Sequence, residues 1–156
     1  MKVLFMCTAN SCRSVLCEGL FNHTAPENMR AVSSGSAPSG RLNPRAISTL
    51  QALGVDTSGL YSKGSESFAD TPPDLVITVC DKAGSEPCPV YFGPAIKSHW
   101  GLVDPSDVQG TDAEIQAAFD ATVAKIRLRF AALFRLDLST LDPTALKQAL
   151  DRIGAL

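Results

Sequence analysis

Cys7 and Arg13 bracket five small residues, Thr8-Ala9-Asn10-Ser11-Cys12, and Ser14 follows directly. Each position suits one part of oxyanion chemistry. A thiol is a nucleophile, and a guanidinium presents a planar fork that matches two oxygens of a tetrahedral anion. Small residues between them let backbone N–H groups converge on one spot. A thiol facing those dipoles and an arginine is favoured as the thiolate, ready to attack. Arginine in a helix's first turn lies on the wrong side of the macrodipole, so it wants an anionic partner there. Taken singly, a cysteine at a strand end is apolar filler and an arginine at a helix start is a surface charge. The spacing of the set makes the reactive reading much the stronger.

Two elements must hold that loop. Val3-Leu4-Phe5-Met6 is an apolar run suited to a buried strand, and Val15-Leu16-Cys17-Glu18-Gly19-Leu20-Phe21 resumes the apolar pattern as a helix. Strand, loop and helix N-terminus together make an anion site. Residues 30–35 read as a short second strand running into a turn. Asn43-Pro44 opens a helix with Ile47, Leu50 and Leu53 on one face and Gly54 as its end. Residues 58–73 are Ser/Gly-rich with a double proline and read as loop.

Asp74-Leu75-Val76-Ile77-Thr78-Val79-Cys80 is the clearest strand, its unbroken β-branched run indicating burial on both faces. Residues 95–100 make a weaker one. Thr111 and Glu114 form a capping box ahead of a long helix with the stripe Ile115, Phe119, Ile126, Phe130, Leu133 and Phe134. Asp142-Pro143 opens a last helix, with Leu146, Leu150 and Ile153 as its buried face and Gly154 as its stop. Strands alternating with helices predict an α/β domain with a mainly parallel sheet and helices on both faces. Ligands of such sheets bind beyond the carboxyl ends of the strands, and Cys7 and Cys80 both fall at such ends. Neighbouring strands lie about 4.8 Å apart, within reach of a disulfide once loops relax.

The chain has 156 residues, 45% hydrophobic and 19% charged, with a formal net charge of −2. That is one globular domain with no charge-based reason to expect a nucleic acid or membrane partner. No run approaches transmembrane length, the N-terminal segment does not read as a signal peptide, and the expected location is the cytoplasm. The five cysteines (7, 12, 17, 80 and 88) lack the spacing of a zinc site, so no metal is expected on them. In a reducing compartment they are better read as nucleophilic or redox groups than as structural staples.

The run Cys7-Thr8-Ala9-Asn10-Ser11-Cys12-Arg13-Ser14, with Val79-Cys80, Cys88-Pro89, His99-Trp100-Gly101 and Asp104-Pro105 in order, resembles the arsenate reductases built on the low-molecular-weight phosphotyrosine phosphatase fold. The resemblance implies a four-stranded parallel sheet in the order 2-1-3-4 over residues 1–137, with residues 138–156 as a C-terminal helical extension. It implies Cys7 as nucleophile, Thr8 to Ser14 as the oxyanion loop, Arg13 as its clamp and Asp104 as the acid. Cys80 and Cys88 would complete a thiol–disulfide relay, because reducing arsenate to arsenite needs two electrons and a thiol pair supplies them. Phosphate and sulfate would compete with arsenate, and thioredoxin, or glutaredoxin with glutathione, would restore the thiols. No tightly bound cofactor is implied. Some relatives hold potassium on an Asn, a Glu and a Ser matched here by Asn10, Glu18 and Ser33, but the remaining acidic ligand has no secure counterpart around Glu66.

Asn10 is expected to brace the loop, Cys12 and Cys17 to pack, and Trp100 beside His99 to join the core. The first alternative is a low-molecular-weight protein tyrosine phosphatase, which needs only nucleophile, arginine and acid. Ser106-Asp107 after Asp104-Pro105 stands where aromatics would stack on a phosphotyrosine ring. The other alternative is an oxyanion-sensing regulator without turnover.

Overall fold

The computed structural model describes residues 1–64, 70–79 and 94–156. Strands β1 (Lys2–Cys7), β2 (Arg30–Gly35), β3 (Leu75–Thr78) and β4 (Ile96–His99) form one parallel sheet in the order β2-β1-β3-β4. Helices α1 (Arg13–Thr24), α3 (Asp112–Phe134) and α4 (Pro143–Gly154) touch the sheet, and α2 (Pro44–Ala52) packs on α1 and α3. No helix among the described residues is long and apolar enough to cross a membrane.

β1 is buried on both faces, as a central parallel strand must be. Val3, Phe5 and Cys7 face the large cluster that includes the helices' apolar residues, whereas Leu4 and Met6 join Val76 and Val32 on the other side. Phe5 stacks with Phe21 of α1 and Phe130 of α3 at ring distances of 5.7 and 5.5 Å. Each such buried ring contributes about 1.5–3 kcal/mol. This wedge fixes α1 against the strand whose end carries Cys7.

The helix starts follow their capping residues. Asn43 accepts from the Arg45 and Ala46 N–H groups, Asp142 accepts from Ala145 N–H, and Thr111 and Glu114 complete a reciprocal capping box. Two details differ from the sequence reading. The buried face of α2 is Ala46, Thr49 and Leu50, and Ile47 is only half-buried, because the helix turns that face to α1 and α3. Gly154 is the last residue of α4, as expected, but it does not end the helix by a left-handed turn. A Cβ there would stand 2.6 Å from Trp100 Cδ1 and 2.7 Å from the His99 carbonyl oxygen. Glycine is required for close approach, not for termination.

α4 packs into the same core through Leu146, Leu150 and Ile153. Trp100 Nε1 donates to Leu150 O at 2.9 Å, and the Ser98 hydroxyl donates to Asp151 at 2.7 Å. Arg129 of α3, almost wholly buried, ties two distant stretches together: Nη1 donates to the carbonyls of Trp100 and Gly101, and Nη2 to those of Gly154 and Leu156. These bonds anchor the segment that leads from β4 to Asp104.

Candidate active site

The loop after β1 turns its carbonyls outward. Cys7 O, Thr8 O and Ala9 O accept from the N–H groups of Ser36, Ala37 and Ser39, and Ser11 O accepts from Asn43 N–H. All peptide bonds among the described residues are trans, so each N–H points opposite to the carbonyl before it. The N–H groups of Thr8, Ala9, Asn10 and Cys12 therefore face into the loop. Gly35 lets the loop lie this close, since a Cβ would sit 2.4 Å from Thr8 O and 2.9 Å from Asn10 N.

Cys7 Sγ is the focus. Asn10 N–H donates to it at 3.3 Å, and Ser14 Oγ lies 2.9 Å away. Asn10 is the one described non-glycine residue with a positive φ, 49°, a conformation Asn tolerates better than most. Its Nδ2 donates to the hydroxyls of Ser14 and Ser33, and its Oδ1 accepts from Lys63 N–H at 2.9 Å. Because Ser14 Oγ accepts from Asn10, its own hydrogen is available to the Cys7 sulfur. Asn10 thus braces the loop mostly through side chains, and through one backbone bond.

Arg13 opens α1 with its fork directed at the acid segment. Nη1 donates to Leu102 O at 3.0 Å and Nη2 to Asp104 Oδ2 at 3.2 Å. The anionic partner that its place in the first turn required is the Asp104 carboxylate. Asp104 Oδ1 accepts from the N–H and hydroxyl of Ser106, capping a single 3-10 turn at Pro105–Asp107. Cys7, Arg13 and Asp104, the residues expected as nucleophile, clamp and acid, are thus gathered around one loop.

Cys12, the residue before α1, is buried; burial, with Asp104 nearby, pushes its thiol up to about 12 despite Arg13. Burial pushes Cys17 higher still. Both are thiols packed in the core, as expected. Trp100 is also core, and His99 Nδ1 pairs with the Thr78 hydroxyl at 2.7 Å.

Asn10, Glu18 and Ser33 come together as the potassium resemblance implies. Ser33 Oγ donates to Glu18 Oε1 at 2.6 Å and accepts from Asn10. The same Glu18 oxygen, however, takes the ammonium of Lys63 at 3.2 Å, with the two side chains only 10% and 7% exposed. A carboxylate already bound by a buried ammonium does not fit a monovalent metal. Cys80, Cys88 and Glu66 lie outside the described residues. β3 runs beside β1 with Thr78 opposite Met6, and Val79 N–H donates to Met6 O at 2.9 Å.

Lys63 and Gly35 were not singled out from sequence. A lone lysine in a Ser/Gly-rich loop reads as solvated, and only Glu18 on an otherwise apolar helix face signalled a buried countercharge. Gly35 read as the start of a turn.

A thiol, converging amides and an arginine beyond the carboxyl edge of a parallel sheet define a cysteine-based oxyanion site. The family model described as low molecular weight phosphotyrosine protein phosphatase matches residues 2–149, and the chain belongs to that family. The match runs past residue 137 into α4. A curated arsenate reductase of Bacillus subtilis is 35% identical over 75% of this chain and 83% of its own length. Among solved structures, an arsenate reductase in the phosphate binding state shares 28% identity, with a TM-score of 0.64 over 83% of this chain and 96% of that one. A thioredoxin-dependent arsenate reductase of Corynebacterium glutamicum shares 25% identity at a TM-score of 0.64, covering 85% of this chain and 61% of that one.

Proposed function

We propose that this protein reduces arsenate to arsenite, using Cys7 as nucleophile and an external thioredoxin as the source of electrons. The observation that carries the reading is the convergence of Asn10 N–H and Ser14 Oγ on the Cys7 sulfur, at 3.3 and 2.9 Å, inside a loop whose carbonyls face away. Inward amides stabilise charge on a bound tetrahedral oxyanion and on the thiolate that attacks it. The named activity of the relatives supplies the substrate.

The Cys7 thiolate attacks arsenic and an As–S bond forms. Arg13 turns part of its fork from Asp104 to the oxyanion, and Asp104 carries a proton to the departing oxygen, which leaves as water. The Cys80 thiolate then attacks Cys7 Sγ. As the Cys7–Cys80 disulfide forms, the As–S bond breaks and its electron pair stays on arsenic, which leaves as arsenite. Cys88 attacks Cys80, releasing the Cys7 thiolate and leaving a Cys80–Cys88 disulfide. Thioredoxin reduces that disulfide, and the cycle closes. The pairing of β3 beside β1 supports the first exchange, because the chain reaches residue 79 on the strand next to the one that ends at Cys7. Reduced thiols at rest favour a cytoplasmic site of action.

The test is NADPH consumption with arsenate, thioredoxin and thioredoxin reductase. Turnover is expected for the wild type and its loss for Cys7→Ser, Cys80→Ser and Cys88→Ser. Full turnover in the last two variants would overturn the relay. Fast aryl-phosphate hydrolysis that ignores residues 80 and 88, without arsenate turnover, would assign the protein to phosphatase chemistry.

A further inference from the structure

We infer that Lys63 is a resident cation of the oxyanion loop, standing where a monovalent metal would otherwise neutralise Glu18, so that this protein needs no potassium. The inference concerns the loop's support and holds whichever oxyanion reacts at Cys7.

Lys63 reaches three elements with three different groups. Its N–H donates to Asn10 Oδ1 in the loop, its carbonyl accepts from Gly35 N–H at the end of β2, and its ammonium meets Glu18 of α1. The ammonium also donates to Tyr61 O at 3.1 Å and lies 4.5 Å from the centroid of the Tyr61 ring. A carboxylate, a carbonyl and an aromatic face are the surroundings that stabilise a desolvated cation. Neighbouring Ser62 adds a clasp, its hydroxyl donating to Ala9 O at 3.1 Å.

The charge count explains why a metal is redundant. Glu18 is one buried negative charge, and Lys63 is one buried positive charge in contact with the same oxygen that accepts from Ser33. A second cation would add net charge to a buried place, which is costly. Truncating Lys63 instead leaves Glu18 unpaired, the situation that destabilises most. The effect passes on through Ser33 to Asn10, and from Asn10 to Ser14 beside Cys7. Lys63 is therefore a positioning residue for the nucleophile loop.

Thermal unfolding and phosphate titration in potassium chloride against choline chloride at equal ionic strength test this. Wild-type Tm and phosphate Kd are expected to be the same in both salts. Lys63→Ala should unfold on the order of 10 °C lower in choline chloride and recover part of that loss in potassium chloride, saturably. Its phosphate affinity should recover with it. A purely structural lysine would lose stability without a potassium-specific return. Three results would overturn the inference: a wild type stabilised by potassium over choline, a Lys63→Ala protein as stable as wild type in choline, or a destabilised variant indifferent to potassium. Should Lys63→Ala fail to fold in either salt, Lys63→Met, which keeps the aliphatic stem, is judged by the same criteria.

Discussion

The Arg13 guanidinium and the Asp104 carboxylate sit 3.2 Å apart, so the proposed clamp and the proposed acid hold each other. The same guanidinium donates to Leu102 O at 3.0 Å, which ties the acid segment to the start of α1. An oxyanion entering the loop must share Arg13 with a carboxylate that repels it. Asp104→Asn separates these roles. The variant should turn over arsenate on the order of 10²-fold more slowly, yet bind phosphate at least as tightly as wild type by calorimetry. Markedly weaker phosphate binding would mean that Asp104 supports the loop rather than competing for its arginine.

Gly35→Ala should strike the loop from behind. The added methyl would meet backbone atoms, Thr8 O at 2.4 Å and Asn10 N at 2.9 Å, neither of which can swing aside as a side chain would. The expected cost is about 1–3 kcal/mol in urea unfolding, with at least a tenfold loss in phosphate affinity as the inward amides tilt. Unchanged affinity would show that the loop adjusts freely.

Cys12 and Cys17 should be silent beside Cys7, although all three thiols are buried. With Cys12 pushed up to about 12 and Cys17 further, both stay protonated across neutral pH, and only a thiolate alkylates quickly. In a Cys80→Ser/Cys88→Ser background at pH 7.5, iodoacetamide should label Cys7 first, with Cys12 and Cys17 modified only on unfolding. Peptide mass mapping reads the order. Cys12 labelled as fast as Cys7 would contradict the upward push on its thiol.

Acid should loosen α4 from β4. The Ser98 hydroxyl, with Lys147 in support, holds the Asp151 carboxyl below the usual carboxylate range. A depressed folded-state pKa contributes stability that is fully present above the unfolded value, about 3.9, and is lost as pH falls through the folded one. Asp151→Asn should therefore lower Tm at pH 7, and its difference from wild type should shrink below pH 4. A difference that persists unchanged at pH 2.5 would assign the loss to packing instead of charge.

Much of this arrangement was legible in the residues. The strand–loop–helix unit and the second strand at Arg30–Gly35 show in the apolar pattern, and the caps at Asn43, Thr111 and Asp142 are read directly because each is a hydrogen bond to a residue close by in sequence. The family motif supplied the sheet order, which no single segment encodes. What stayed hidden depends on contacts between distant segments. Lys63 finds its carboxylate 45 residues away, and nothing in its Ser/Gly-rich surroundings marks it as buried. Gly154 matched a helix stop, but the indole of Trp100 is what excludes a side chain there. Arg129 did leave a trace, a charge set among Ile126, Phe130 and Leu133 on the apolar stripe of α3. Its partners are backbone carbonyls, which sequence patterns do not display.

The four carbonyls on Arg129 belong to two stretches far apart in sequence. Two come from Trp100 and Gly101, just ahead of the acid segment, and two from Gly154 and Leu156. One buried guanidinium therefore couples the stretch after β4 to the end of α4, so whatever loosens one of them releases bonds that hold the other.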